Sequence, residues 1–219
     1  MKREIDIKQI KNIFENFCQC KLPYIQIKYS ENETCTETGE GEIYSLNINI
    51  NGSAEDELFH EFMLINDHFN LPEISLPIYR EFRATTAEFE YLVDFKRFKS
   101  INSIKKNSKV TSYYVDKLKR IKMALSSQYR KISFENSQIA DYLLYLKLLY
   151  RYIACFKILE PENDLDDILV KDTIDDSFKP LYNELLSMYI NMPEDKETLD
   201  EINRKEKELI LCLAQVYDK

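Results

Sequence analysis

Residues 43–69 read Ile43-Tyr-Ser-Leu-Asn-Ile-Asn-Ile-Asn-Gly-Ser-Ala-Glu-Asp-Glu-Leu-Phe-His60-Glu61-Phe-Met-Leu64-Ile-Asn-Asp67-His68-Phe69. Over the first eight positions apolar side chains alternate with polar ones, the period of a half-buried strand. At Gly52-Ser53 the pattern changes. Ser53 is a good N-cap, and Glu55, Asp56 and Glu57 suit the positive end of a helix dipole, so a helix is expected from there to about Phe69. Upstream, Tyr24-Ile-Gln-Ile-Lys-Tyr29 alternates in the same way, and the polar stretch from Ser30 to Glu42 separates the two segments. This predicts a β-hairpin or a pair of neighbouring strands. Downstream, Pro72 and Pro77 punctuate a loop, and a second helix is expected from near Ile78 to about Phe98.

The flanking segments are helical in pattern. The N-terminal MKREIDIKQIKNIFENF places Ile10, Ile13, Phe14 and Phe17 on one face and has no continuous apolar run of the kind a secretory signal carries. The most apolar stretch, residues 139–159, contains Asp141, Lys147 and Arg151. A charge at the centre of a bilayer costs about 2.5–3.5 kcal/mol, so this reads as a buried helix, with no membrane partner and a cytoplasmic location expected. A final helix from Leu199 to Tyr217 spaces Leu199, Ile202, Leu209, Leu213 and Val216 at threes and fours, interrupted by Glu206. The expected fold is α+β and helix-dominated: an α+β region over residues 1–98 and a helical region over 99–219, packed on the first as one unit.

Composition narrows the chemistry. Among 219 residues there are only three glycines, Gly39, Gly41 and Gly52, against an average usage of about 7%. That removes the glycine-rich cradles of P-loops, dinucleotide-binding turns and kinase loops. Five cysteines are odd in number and none form a C-x-x-C pair, so a disulfide framework or zinc ribbon is poorly supported and a reducing compartment is expected. Cys18 and Cys20 stand in a C-x-C spacing, which suits soft metals but reads first as structural. The stretch 163–176 is acidic but lacks the glycine and terminal glutamate of an EF-hand loop in register.

Charge is unevenly distributed. From Asp94 to Lys131 twelve Lys and Arg face two acids, whereas from Glu160 to Glu206 fifteen acids face five bases; the whole chain is at −8. Nucleic acid is disfavoured as a ligand because the protein is acidic overall, with a pI near 5.0. The basic segment either forms solvated helix faces or docks an acidic partner through residues such as Lys105, Lys106 and Lys109.

Both histidines lie in the helix that opens near Ser53. No serine or cysteine nucleophile has another base to use. A strand leading into a helix with His60-Glu61, followed by a helix with Glu81-Phe-Arg-Ala84, resembles the zincin metallopeptidases, and most nearly the gluzincin-like group that includes the ImmA/IrrE peptidases. In H-E-x-x-H, residues four apart lie on one helix face, so two imidazoles converge on one ion and the glutamate reaches its bound water. The resemblance implies a zinc ion held by His60 and Glu81, with Glu61 as general base. The second ligand position is Leu64, which cannot coordinate. His68, or Asp67, would supply the missing donor only if the helix broke near Asn66-Asp67, because eight residues of continuous helix span about 12 Å; Asp56, four residues before His60, offers another chelating spacing. The resemblance therefore implies either a metal-dependent peptidase with an atypical ligand set or a catalytically inactive relative, acting on or binding a peptide or protein. The alternative is a non-enzymatic module docking an acidic partner, with His60 at a surface or interface, paired with Asp56 or Glu57, and with Glu81 and Glu88 on ordinary solvated helix.

Overall fold

The computed structural model describes residues 6–31, 35–38, 44–49, 55–71, 76–95, 108–134, 137–159 and 176–217. The chain begins with α1 (Ile7–Phe17), whose N-terminus is capped by the Asp6 carboxylate accepting from the Gln9 amide at 3.0 Å. Three strands follow, β1 (Ile25–Ser30), β2 (Cys35–Thr38) and β3 (Tyr44–Asn49). Then come α2 (Glu55–Asn70), α3 (Pro77–Phe95), α4 (Ser108–Phe134), α5 (Ile139–Leu159), a 3-10 turn at Asp176–Phe178, α6 (Lys179–Tyr189) and α7 (Lys196–Tyr217). The architecture is α+β and helix-dominated, as the sequence pattern predicts. No described helix is long and apolar enough to cross a membrane.

The two expected strands are neighbours, but parallel ones, with Ile25 opposite Tyr44 through to Ser30 opposite Asn49. They are not a hairpin. Parallel strands need a crossover, and within it lies β2, which turns back antiparallel on β3 with Cys35 opposite Asn47. The order β1-β3-β2 puts β3 at the centre, where Tyr44, Leu46 and Ile48 are buried. Cys-Thr-Glu-Thr has no apolar alternation, so hydrophobic patterning could not reveal β2.

Two apolar clusters meet on α3. The first gathers Ile10 and Phe14 of α1, Leu46 and Ile48 of β3, Leu58, Phe59, Phe62 and Ile65 of α2, and Tyr91 of α3. Phe59 stacks on Tyr91 with ring centroids 3.8 Å apart, and Phe14 meets Phe59 edge-on. The second cluster joins Ile78, Tyr79, Phe82 and Phe89 of α3 to α4, α5, α6 and α7, and is rich in buried tyrosine. α5 runs through it, burying Tyr142, Tyr145, Leu146, Leu149, Tyr150 and Ile153. Tyr150 donates to the Tyr182 carbonyl at 3.0 Å, so its hydroxyl is not left unpaired.

Glu206, which breaks the apolar spacing of the last helix, is buried for a reason. Its carboxylate accepts from the Tyr79 amide at 2.8 Å, the Ile78 amide at 3.4 Å and the Tyr189 hydroxyl at 2.7 Å. It therefore caps the N-terminus of α3, which opens with Pro77, a residue suited to a first helical turn. Burial pushes its carboxyl up to about 7 despite those donors. A second buried pair fixes α3 to α2, where Arg83 Nε donates to Asp67 Oδ2 at 3.0 Å and Arg83 Nη2 to Glu194 Oε1 at 2.8 Å. α2 is continuous through Asn66 and Asp67, and Asp67 is committed to Arg83.

Candidate functional site: a buried charge cluster between α2 and α3

In α2, Asp56 and His60 are four residues apart, and in α3 Glu81 and Glu88 are seven apart, so each pair shares a helix face. Packing α2 on α3 brings the two faces together. His60 Nε2 lies 3.3 Å from Glu81 Oε1, and His60 Nδ1 lies 3.2 Å from Glu88 Oε2. The imidazole is thus bracketed by carboxylates on opposite edges of its ring. The Nε2 contact is a hydrogen bond. The Nδ1 contact is close but not aligned as one, and both His60 Nδ1 and Glu88 Oε2 are buried without a hydrogen-bond partner.

Two cations from the helical half close the cluster. Lys117 of α4 places Nζ 2.8 Å from Asp56 Oδ2 and also contacts Glu88 Oε1. Arg151 of α5 places Nη1 3.5 Å from Glu81 Oε1 and Nη2 3.9 Å from Glu88 Oε2. Tyr113, one turn before Lys117, donates to Asp56 Oδ2 at 2.7 Å. Burial alone would raise the Glu81 carboxyl, but the His60 hydrogen bond, the His60 charge and Arg151 outweigh it and hold the group at about 2. Glu88 is completely buried, with 0% side-chain exposure, and Lys117 has 13%. An ion pair so placed is stable only while both signs are present.

His60 and Glu81 do meet, across two helices. His60 is buried and paired with α3, so it is not a surface histidine paired with Asp56 or Glu57. Glu81 and Glu88 are not solvated helix surface; both are drawn into the cluster. Glu61 is buried on α2 next to His60. His68 is exposed near the end of α2, where its ring meets Tyr44 edge-on at 5.6 Å. The helix break that would carry it toward His60 does not occur. Lys105 and Lys106 lie outside the described residues, as does the acidic stretch over 163–175, while Lys109 falls in the first turn of α4.

Sequence reasoning missed Lys117, Arg151 and Tyr113. A partial signal existed for Arg151, because a charge within the most apolar run of a chain needs a buried partner. For Lys117 there was none, since it is one of twelve bases in its segment.

The donor set can be compared with what a zinc ion requires. Tetrahedral bonds of about 2.0–2.1 Å set neighbouring ligand atoms roughly 3.3 Å apart, and His60 Nε2 and Glu81 Oε1 have that separation. The motif's second ligand position is the apolar Leu64, which supplies no donor. Among the described residues no three His, Cys, Asp or Glu side chains group to hold an ion. The Glu81 oxygen that would ligate is also approached by a guanidinium. As they stand, these side chains form a charge-compensated cluster and do not fit a tetrahedral zinc centre. No protein-family model matches the chain, and no curated protein or solved structure is significantly similar to it.

Proposed function

We propose that this chain is a catalytically silent, zincin-like protein that acts by binding an acidic protein partner. The observation that carries this reading is the placement of Lys117 and Arg151 against Glu88 and Glu81, where the zincin resemblance calls for a metal. Side-chain cations that neutralise these carboxylates remove the need for an ion, and they leave the Glu61 carboxylate no metal-bound water to activate. The cluster then serves as a rigid joint between α2, α3, α4 and α5.

The partner's chemistry follows from the outward side of α4. Lys119, Arg120, Lys122 and Arg130 are exposed there, together with Met123 at 73% and Phe134 at 78% exposure. Spacings of three and four align Lys119, Lys122, Met123, Arg130 and Phe134 along a common side of the helix. A shallow cavity of 570 Å³ is lined there by Lys122, Met123, Ser127 and Arg130. Exposed cations interleaved with large apolar side chains suit a protein segment carrying acidic and apolar residues.

The test is binding of a Glu-rich peptide containing leucines, measured by fluorescence anisotropy as salt is raised. Affinity should fall steeply with salt and disappear in a Lys119→Glu/Lys122→Glu/Arg130→Glu variant. Salt-independent binding, or binding untouched by those three changes, overturns the assignment to this face.

A further inference from the structure

On the other side of α2 and α3, away from His60, lies a cavity of 620 Å³ between the turn after α1, the two helices and the loop that precedes α7. Four sulfur-bearing side chains line it: Cys18, Cys20, Met63 and Met192. Both cysteines are free thiols.

The backbone presents these residues in a defined way. Cys18 is the C-cap of α1, Gln19 adopts φ 50°, and the Cys20 amide donates to the Glu15 carbonyl at 3.1 Å. That bond is the 6→1 closure of a Schellman motif, with Gln19 at the left-handed position glycine usually takes. The motif folds the chain back so that positions on either side of Gln19 border the same cavity. Met192 has φ 47°, and these two are the only non-glycine residues with positive φ among the described residues. Both of them line this cavity. Left-handed non-glycine backbone costs roughly 1 kcal/mol or more and persists where the surroundings hold it.

We propose that Cys18 and Cys20 bind one copper(I) ion, with thioether sulfur from Met63 and Met192 completing the site. Thiolate and thioether are soft donors that suit copper(I), and a four-sulfur set offers none of the hard oxygen ligands that magnesium or calcium prefer. Copper(I) is satisfied by two or three such donors and needs no imidazole. Binding forms two Cu–thiolate bonds, releases the two thiol protons to solvent and adds neutral thioether donation from the methionines, with no change in oxidation state. Because each thiol gives up a proton on binding, affinity rises with pH.

The test is anaerobic titration of the full chain with copper(I) against a copper(I)-specific chromogenic chelator. Wild type should withhold one equivalent. Cys18→Ser and Cys20→Ser should each lose it, Cys35→Ser, Cys155→Ser and Cys212→Ser should keep it, and Met63→Leu and Met192→Leu should each yield copper at lower chelator concentration. Circular dichroism of each variant separates lost binding from lost folding, and the methionine variants test the site with both thiols intact. No withheld equivalent in wild type overturns the proposal. So does an equivalent that survives in the Cys18→Ser/Cys20→Ser double variant, or one insensitive to both methionine substitutions.

Discussion

The Nε2 atom of His60 lies 3.3 Å from Oε1 of Glu81, joining the middle of α2 to the first turns of α3. This contact is made by the two residues that the zincin resemblance assigns to one metal. Here it sits inside a cluster whose positive charge comes from side chains. The consequences for stability, pH dependence and metal binding can each be measured.

Removing one cation should expose the cost of the arrangement. Lys117→Met leaves Asp56 and Glu88 buried with one cation fewer, and breaking a buried pair in this way costs about 3–5 kcal/mol. Urea denaturation should show that loss. Adding Glu88→Gln should recover part of it, because the two changes act on one interaction. Simple additivity of the two losses would show that Lys117 and Glu88 are not coupled.

Stability should decline as pH rises from weakly acidic to neutral. The Glu206 carboxyl is raised from 4.5 to about 7 in the folded chain, and Asp67 from 3.8 to about 6. A raised folded value means that the contribution is fully present below the unfolded value and is lost as pH climbs through the folded one. For Glu206 the window is pH 4.5 to 7, and the magnitude is roughly 3 kcal/mol at 1.36 kcal/mol per unit. Glu206→Gln should remove the Glu206 share of that decline, about half of it, in thermal melts taken across the window, with Asp67 accounting for the rest. An unchanged slope would contradict the assignment.

Glu81 should act in the opposite sense. Its carboxyl is held at about 2 instead of 4.5, so its contribution is present above pH 4.5 and is lost as pH falls toward 2. His60→Gln, which removes the ionic partner, should shrink the acid-side loss. A midpoint of acid unfolding identical to wild type would count against the pairing.

The α2–α3 geometry can also be tested by restoring what the motif lacks. Leu64→His supplies an imidazole one turn after His60, and Arg151→Ala frees the Glu81 oxygen. Combined in a Cys18→Ser/Cys20→Ser background, these changes should create a zinc site that holds about one equivalent through desalting. Failure in a folded variant would mean that the likeness to zincins stops at the sequence.

Much of the fold was legible because its elements carry strong periodic signals. The apolar face of α1, the strand alternation at β1 and β3, and the acidic first turn of α2 each name their own structure. β2 escaped because its four residues carry no apolar alternation, and its pairing with β3 is not written in local sequence. The site was half legible. His60 and Glu81 were visible as a spaced motif, but Lys117 and Arg151 come from α4 and α5, which sequence distance separates from α2 and only tertiary packing brings close. Glu206 looked like an interruption in α7 because its role, capping α3, is likewise set by a distant partner.

Under the proposed function, Lys117 and Arg151 compensate this cluster in place of a metal. The most direct measurement is elemental analysis of the Cys18→Ser/Cys20→Ser variant after zinc loading and desalting, alongside the same variant carrying His60→Ala. The account predicts that neither retains stoichiometric zinc. About one equivalent held by the first and lost by the second would contradict it and would place a metal centre at His60 and Glu81.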